Sequence, residues 1–433
     1  MKRRKKLLSF ILTTAMCLLA LATIAPGKAY AANKKRITVK EFAKELANEI
    51  GLNSKDGVAA LKEAGIIKEG DFTNYNNHLR RGDATMLVSR ADEYLNGDNV
   101  DPDLVEFVIE RRISDIDKMK EDKREDIAKG YIKGFMKCYN NGPFTQDREL
   151  RGNNRITKKG ARNIIKMVTD KSKRALISPD GQLIRTTNLP KNAEQFPYIL
   201  ATFPNKFYEY ALRYERVGSK YTFDEDGNII EIILQPIENY APPVDLDKIT
   251  YYGENFVEIK DELIQEWEDK VRTHLELVLN VDYRTIDDEW VDALEQTVIG
   301  FDQIRMPWVS KDGEAYAKRM KENKTIVESQ IAAVDKSTLY YTDDSLYIRA
   351  YVKFRILSSN TSFKDENERD INVAYNNVIY SDGPTILREH QLGEWIEFPM
   401  EVELANAFMK GPESIAVSRT LFLEGLYESN LVK

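Results

Sequence analysis

The sequence predicts a multidomain chain: all-α helical repeats in the N-terminal third, followed by an α+β C-terminal region with an antiparallel sheet. Three observations lead there. The stretch ITVKEFAKELANEIG spaces its apolar residues as a helix does. The later stretches SLYIRAYVKFRIL and WIEFPMEVEL alternate apolar and polar residues with strand period. Helices come first and strands later, without the regular alternation that builds a parallel sheet. A length of 433 residues exceeds a usual single domain, and 42% hydrophobic with 31% charged residues is ordinary for a globular chain. After a leader at 1–31, breaks near TDKSKR and QPIENYAPPVD divide the chain into 32–170, 171–245 and 246–433.

Residues 1–31 read as a secretory signal peptide. MKRRKK is a basic start, LLSFILTTAMCLLALATIA an apolar run, and Ala29-Tyr30-Ala31 a small-x-small cleavage site. An uncleaved membrane anchor is the alternative, since the run is long enough to span a thin bilayer. Cleavage removes six basic residues and no acid, taking the net charge from −7 to −13. That balance argues against nucleic acid or anionic lipid as the main partner. Of the two cysteines only Cys138 remains, so no intrachain disulfide forms, which suits an exported bacterial protein.

The first helix is expected to bury Val39, Phe42, Ala43, Leu46, Ala47 and Ile50. Thr38 and Glu41 stand at capping-box spacing, and Gly51 stops the helix. VAALKEAGIIKEGDF and IAKGYIKGFMKCYNNGPF each read as a short amphipathic helix ending in a glycine turn, followed by an extended stretch and a new helix start. In the middle region, LISPDGQLIRTTNLP and KYTFDEDGNIIEIIL place Asp-Gly between apolar runs, a hairpin signal. The acids of FDEDGN lack the spacing of a calcium loop. FVEIKDELIQEWEDKVRTHLELVL opens the last region as a helix, before the alternating strands.

Catalytic arrangements are hard to build from this chain. Its histidines are His78, His274 and His390, and no zinc, nucleophile-elbow, Walker or dinucleotide motif occurs. Cys138 reads as a free half-buried thiol. Asp287, Asp288 and Glu289 are either carboxylates of a glycan-acting enzyme or the N-terminus of a helix. The polar face of Tyr347, Arg349, Tyr351, Lys353 and Arg355 is either a binding platform or one side of cross-strand ion pairs with Glu397, Glu401 and Glu403. No cofactor and no metal is expected, and an enzyme remains only the alternative to a binding or structural protein.

Three short helix starts share one shape: ITVKEFAKEL at 37–46, LRRGDATMLV at 79–88 and ITKKGARNII at 156–165. With ALKEAGIIKEGDF before the second, this stretch of about 37–168 resembles the S-layer homology repeats of bacterial cell-surface proteins. Those repeats close on Ile-Thr-Arg-Ala-Glu and an apolar helix. The resemblance implies a wall-anchoring module that binds an acidic, pyruvylated secondary cell-wall polysaccharide at the cell surface. Residue by residue it implies Arg81 as the motif arginine with Asp83 as its acid, and Lys158 in the arginine place of the third copy. Val39 holds that place in the first copy, Gly160 replaces the third acid, and the family's tryptophan is absent, with Val58 about where it would fall.

Overall fold

Thr38 starts the first helix for a local reason. Its hydroxyl accepts the Glu41 N–H at 3.1 Å, and the Glu41 carboxylate accepts the Thr38 N–H at 3.0 Å, a reciprocal cap that satisfies two otherwise unpaired donors. In this computed structural model the residues described are 35–52, 54–142, 144–209, 217–223, 229–236, 246–249, 256–298, 312–342, 345–360, 362–364, 370–372, 392–405 and 415–422. The leader at 1–31, the acids 224–226 of FDEDGN, most of the proline-rich break and His390 lie outside them.

In chain order the helical part contains α1 (Val39–Glu49), α2 (Gly57–Glu63), α3 (Arg81–Asn96), α4 (Pro102–Arg111), α5 (Glu121–Ile132), the short pair β1 (Tyr139–Asn140) and β2 (Arg148–Glu149), and α6 (Lys158–Thr169). The rest contains α7 (Asn205–Glu209), the antiparallel pair β3 (Val217–Phe223) and β4 (Ile229–Pro236), then α8 (Phe256–Val278), α9 (Asp288–Glu295) and α10 (Asp312–Glu322). It closes with β5 (Ile326–Thr342), β6 (Ser345–Ser358), the short pair β7 (Ser362–Lys364) and β8 (Asp370–Asn372), β9 (Ile396–Ala405) and β10 (Ala416–Phe422). The chain is thus mixed α+β with a C-terminal antiparallel sheet.

The described residues form two compact units, one within Met1–Asn99 and Gly152–Lys173, the other within Val100–Arg151 and Arg174–Lys433. In the first unit α1 packs on α2 and α6, and α3 on α6. The stripe Val39, Phe42, Ala43, Leu46, Ala47 and Ile50 is buried, each large side chain contributing about 1.5–3 kcal/mol of hydrophobic burial. Gly51 takes φ +83°, the left-handed stop the sequence suggests. Arg90 of α3 reaches back to Asp71, beyond α2, with nitrogen and oxygen 2.6 Å apart and both side chains buried.

The second unit is organised by the sheet, in strand order β10-β9-β6-β5. Leu346, Ile348, Ala350, Val352, Phe354 and Ile356 of β6 are fully buried on one face. They join Trp267, Val271 and Leu275 of α8 and Met400, Val402 and Leu404 of β9 in one core. At the other face, Tyr340 and Tyr347 join a smaller aromatic core with Phe196, Phe203, Phe207 and Tyr208. Residues 100–151, grouped with the repeats by the sequence, share this unit. The SPDG turn of the predicted middle hairpin is held here by Arg112, which reaches Asp180 Oδ2 at 2.7 Å and donates from Nε to the Asp180 carbonyl at 2.8 Å. Burial pushes the Asp180 carboxyl up, but Arg112, Lys336 and the Ser178 and Gln182 donors outweigh it and hold it below the ordinary range.

Candidate functional site

The three helix starts, far apart in sequence, meet in the first unit as a closed ring. Antiparallel bridges pair Thr38 with His78, Arg80 with Arg155, and Thr157 with Arg36. Each start therefore pairs with the residues just before the next. Backbone hydrogen bonds repeat the pattern: the N–H groups of Val39, Arg81 and Lys158 donate to the carbonyls of Asn77, Asn154 and Lys35 at 3.0, 2.8 and 2.9 Å. Leu79 N–H donates to Ile37 and Ile156 N–H to Leu79, at 2.9 and 3.0 Å. Ile37, Leu79 and Ile156 are the apolar residues that begin the three motifs, and all are buried. Their burial explains the ring: each motif hides one large aliphatic residue while its extended backbone pairs with a neighbour.

The sequence-derived residues fall as follows. Arg81 is the first residue of α3, half-buried, and Asp83 sits in the same first turn, half-buried. Arg80, at the cap position, makes no side-chain cap bond, as the loss of the motif threonine implies. Lys158 is the first residue of α6, and its ammonium lies 2.6 Å from Glu41 Oε1. That hydrogen bond, together with the Thr38 N–H, holds the Glu41 carboxyl below its ordinary value. Val39, Arg81 and Lys158 thus occupy equivalent backbone settings, although the third is already paired with an acid of the first motif. Helix α6 continues this pairing along α1, with Arg162 on Glu45 at 3.1 Å and Thr169 donating to Glu49. Periodicity cannot reveal such pairs, because Lys158 and Glu41 are 117 residues apart.

In the second unit the alternatives left by the sequence divide clearly. The polar face of β6 is ion-paired: Arg349 lies across from Glu401 at 3.5 Å, and Lys353 across from Glu397 at 3.4 Å. Arg355 pairs with Glu328 of β5. Tyr351 donates to Glu397 at 2.8 Å and stacks on Phe144, ring centres 4.0 Å apart. On this face Tyr347 and Arg349 are buried, whereas Tyr351, Lys353 and Arg355 are half-buried and paired. Asp287 is an N-cap, accepting the Trp290 N–H at 2.9 Å, and Asp288 and Glu289 fill the first turn of α9. Cys138 is a buried thiol, its Sγ 3.9 Å from the Met136 carbonyl. His274 is buried with Nδ1 3.0 Å from the Thr297 hydroxyl. Among the described residues no group of three or more His, Cys, Asp or Glu side chains could hold a metal, and no helix is long and apolar enough to cross a membrane. No protein family, curated protein or solved structure matches the chain.

Proposed function

We propose that the chain is an exported bacterial cell-surface protein that binds acidic wall polysaccharide through the ring of three helix starts. On this reading the ring acts in the manner of S-layer homology repeats, and the second unit is a binding or structural domain carried with it. The support is one relationship: motifs separated by dozens of residues converge so that Val39, Arg81 and Lys158 hold equivalent positions. Of these Arg81 offers the planar fork that grips a carboxylate with two charge-assisted hydrogen bonds, as on a pyruvyl ketal. Export through residues 1–31 would leave a mature chain starting near Ala32, which N-terminal sequencing of secreted material reads directly.

The test is cosedimentation of the full chain with wall sacculi that retain their polysaccharide. Arg81→Ala removes a pair worth about 1.5–3 kcal/mol, so affinity falls roughly tenfold or more, and Arg81→Lys recovers part of it. Equal binding by wild type and Arg81→Ala would overturn the reading. A second reading, in which the ring is scaffold only, is favoured by one observation: Lys158 already pairs with Glu41. On that reading none of the variants sediments differently.

A further inference from the structure

The ring has one crossing unlike the other two. In each bridge a residue just before one motif faces the cap position of another: Arg36 faces Thr157, and His78 faces Thr38. At the third crossing Arg155 faces Arg80, so a cation stands opposite a cation. Like charges directly opposite across paired strands are unfavourable. A third guanidinium comes to the same place, because Arg36 Nη1 donates to the Arg155 carbonyl. Arg80 Nη1 donates to a neutral oxygen, Asn153 Oδ1, at 3.0 Å. All three arginines are exposed, and among the described residues no carboxylate pairs with any of them.

The surrounding charge points the same way. Segments 35–41, 74–83 and 152–159, which make the ring, carry eight Lys or Arg against two acids, in a chain of net charge −7. Of the two acids, Glu41 is held by Lys158 and the Thr38 N–H. An unbalanced cluster of this kind focuses a positive field and raises the local concentration of anions.

We propose that Arg36, Arg80 and Arg155 form an oxyanion site that takes a phosphate or carboxylate group of an acidic polymer, relieving the repulsion at the third crossing. Lys35, Lys40 and Lys159 extend the positive surface beyond one group, which suits a chain of repeated charges over a single small ion. The site uses none of the three motif positions discussed above. Only the identification of the polymer as a wall component rests on that reading.

The test is isothermal titration of the full chain with three probes of matched charge: a glycerol-phosphate oligomer, an oligogalacturonate and oligothymidylate. One of the first two binds, and which one identifies the anion. Arg80→Thr and Arg155→Ser each weaken it roughly tenfold and reduce the salt dependence of binding by about one ion per arginine. Arg80→Thr also installs the threonine present at the other two crossings, so without ligand this variant melts at a higher temperature than wild type. A residue with a purely structural role would not raise the melting temperature and lower the affinity together. Unchanged affinity in both variants or failure of the folded chain to bind either acidic oligomer overturns the proposal, and so does oligothymidylate binding that is equally tight and insensitive to both variants, since that is attraction by net local charge without a built site. Arginine-dependent oligomer binding without sacculus binding keeps this site and removes the wall reading. Sacculus binding lost only with Arg81 does the reverse.

Discussion

The Lys158 ammonium and the Glu41 carboxylate lie 2.6 Å apart, joining the first residue of α6 to the first turn of α1. Glu41 carries two tasks at once, since it also accepts the Thr38 N–H of its own cap. The two tasks differ in weight. An exposed ion pair contributes little, whereas loss of a cap weakens a helix start by about 0.5–2 kcal/mol.

Glu41→Ala should therefore destabilise the first unit by about 1 kcal/mol, and Lys158→Met by less than half of that. Hydrogen exchange at the α1 amides separates the two. The folded carboxyl sits below its ordinary value, so this contribution is present above the unfolded value and disappears as pH falls through the folded one. Equal losses in the two variants would mean that the ion pair, and not the cap, carries the junction.

Arg349 and Lys353 stand two residues apart on β6, each opposite a glutamate, yet they should behave differently. The Arg349 and Glu401 side chains have no solvent exposure, and Arg349 also donates to the Phe207 carbonyl at 2.7 Å. Arg349→Ala takes the cation away from a buried carboxylate, which keeps the Tyr340 hydroxyl at 3.1 Å, and should cost about 3–5 kcal/mol. Lys353→Ala removes a partly exposed pair and should cost about 0.5 kcal/mol or less. Thermal unfolding followed by near-ultraviolet dichroism ranks them.

Asp335 and His274 give the second unit opposing pH dependences. Burial pushes Asp335 up to about 7, against the pull of the Tyr208 hydroxyl and the Ser337 donors. Its folded value is raised, so its contribution is full at low pH and is lost as pH rises from about 4 to 7. Burial pushes His274 down to about 4, so the unfolded chain binds the extra proton and stability rises with pH between about 4 and 6.5. The two slopes oppose each other over most of this range. Asp335→Asn should leave melting temperature rising with pH there, and His274→Gln should leave it falling. Parallel curves for wild type and both variants would remove the assignment.

Gly181 should not tolerate a side chain. Its φ of +79° disfavours L residues, and an added Cβ would stand 2.5 Å from Val108 Cγ2 of α4. Gly65, with φ +73° and open space around it, carries the conformational penalty alone. Gly65→Ala should thus cost about 1 kcal/mol, and Gly181→Ala measurably more. Paired thermal melts check the order.

Much of the local structure is legible in the chain. The Thr38–Glu41 box, the stripe from Val39 to Ile50, the alternation of β6 and β9 and the Asp-Gly turn at 180–181 each depend on neighbours within a few residues. The same local rules miss β5, whose register shifts between Ser329 and Ile331 and again between Asp335 and Tyr340. Its bulges break the period that marks a strand.

What only the tertiary structure decides is who meets whom. The sequence contains three similar helix starts, but nothing in their spacing says that Arg155 faces Arg80 while Arg36 faces Thr157. Nor does it say that residues 100–151 share a unit with the sheet, or that Arg349 lies buried against Glu401 while Lys353 stays partly exposed. Periodicity fixes which face of an element is apolar. The partner of that face is chosen by long-range burial and by the satisfaction of polar groups far apart in sequence, which no short window contains.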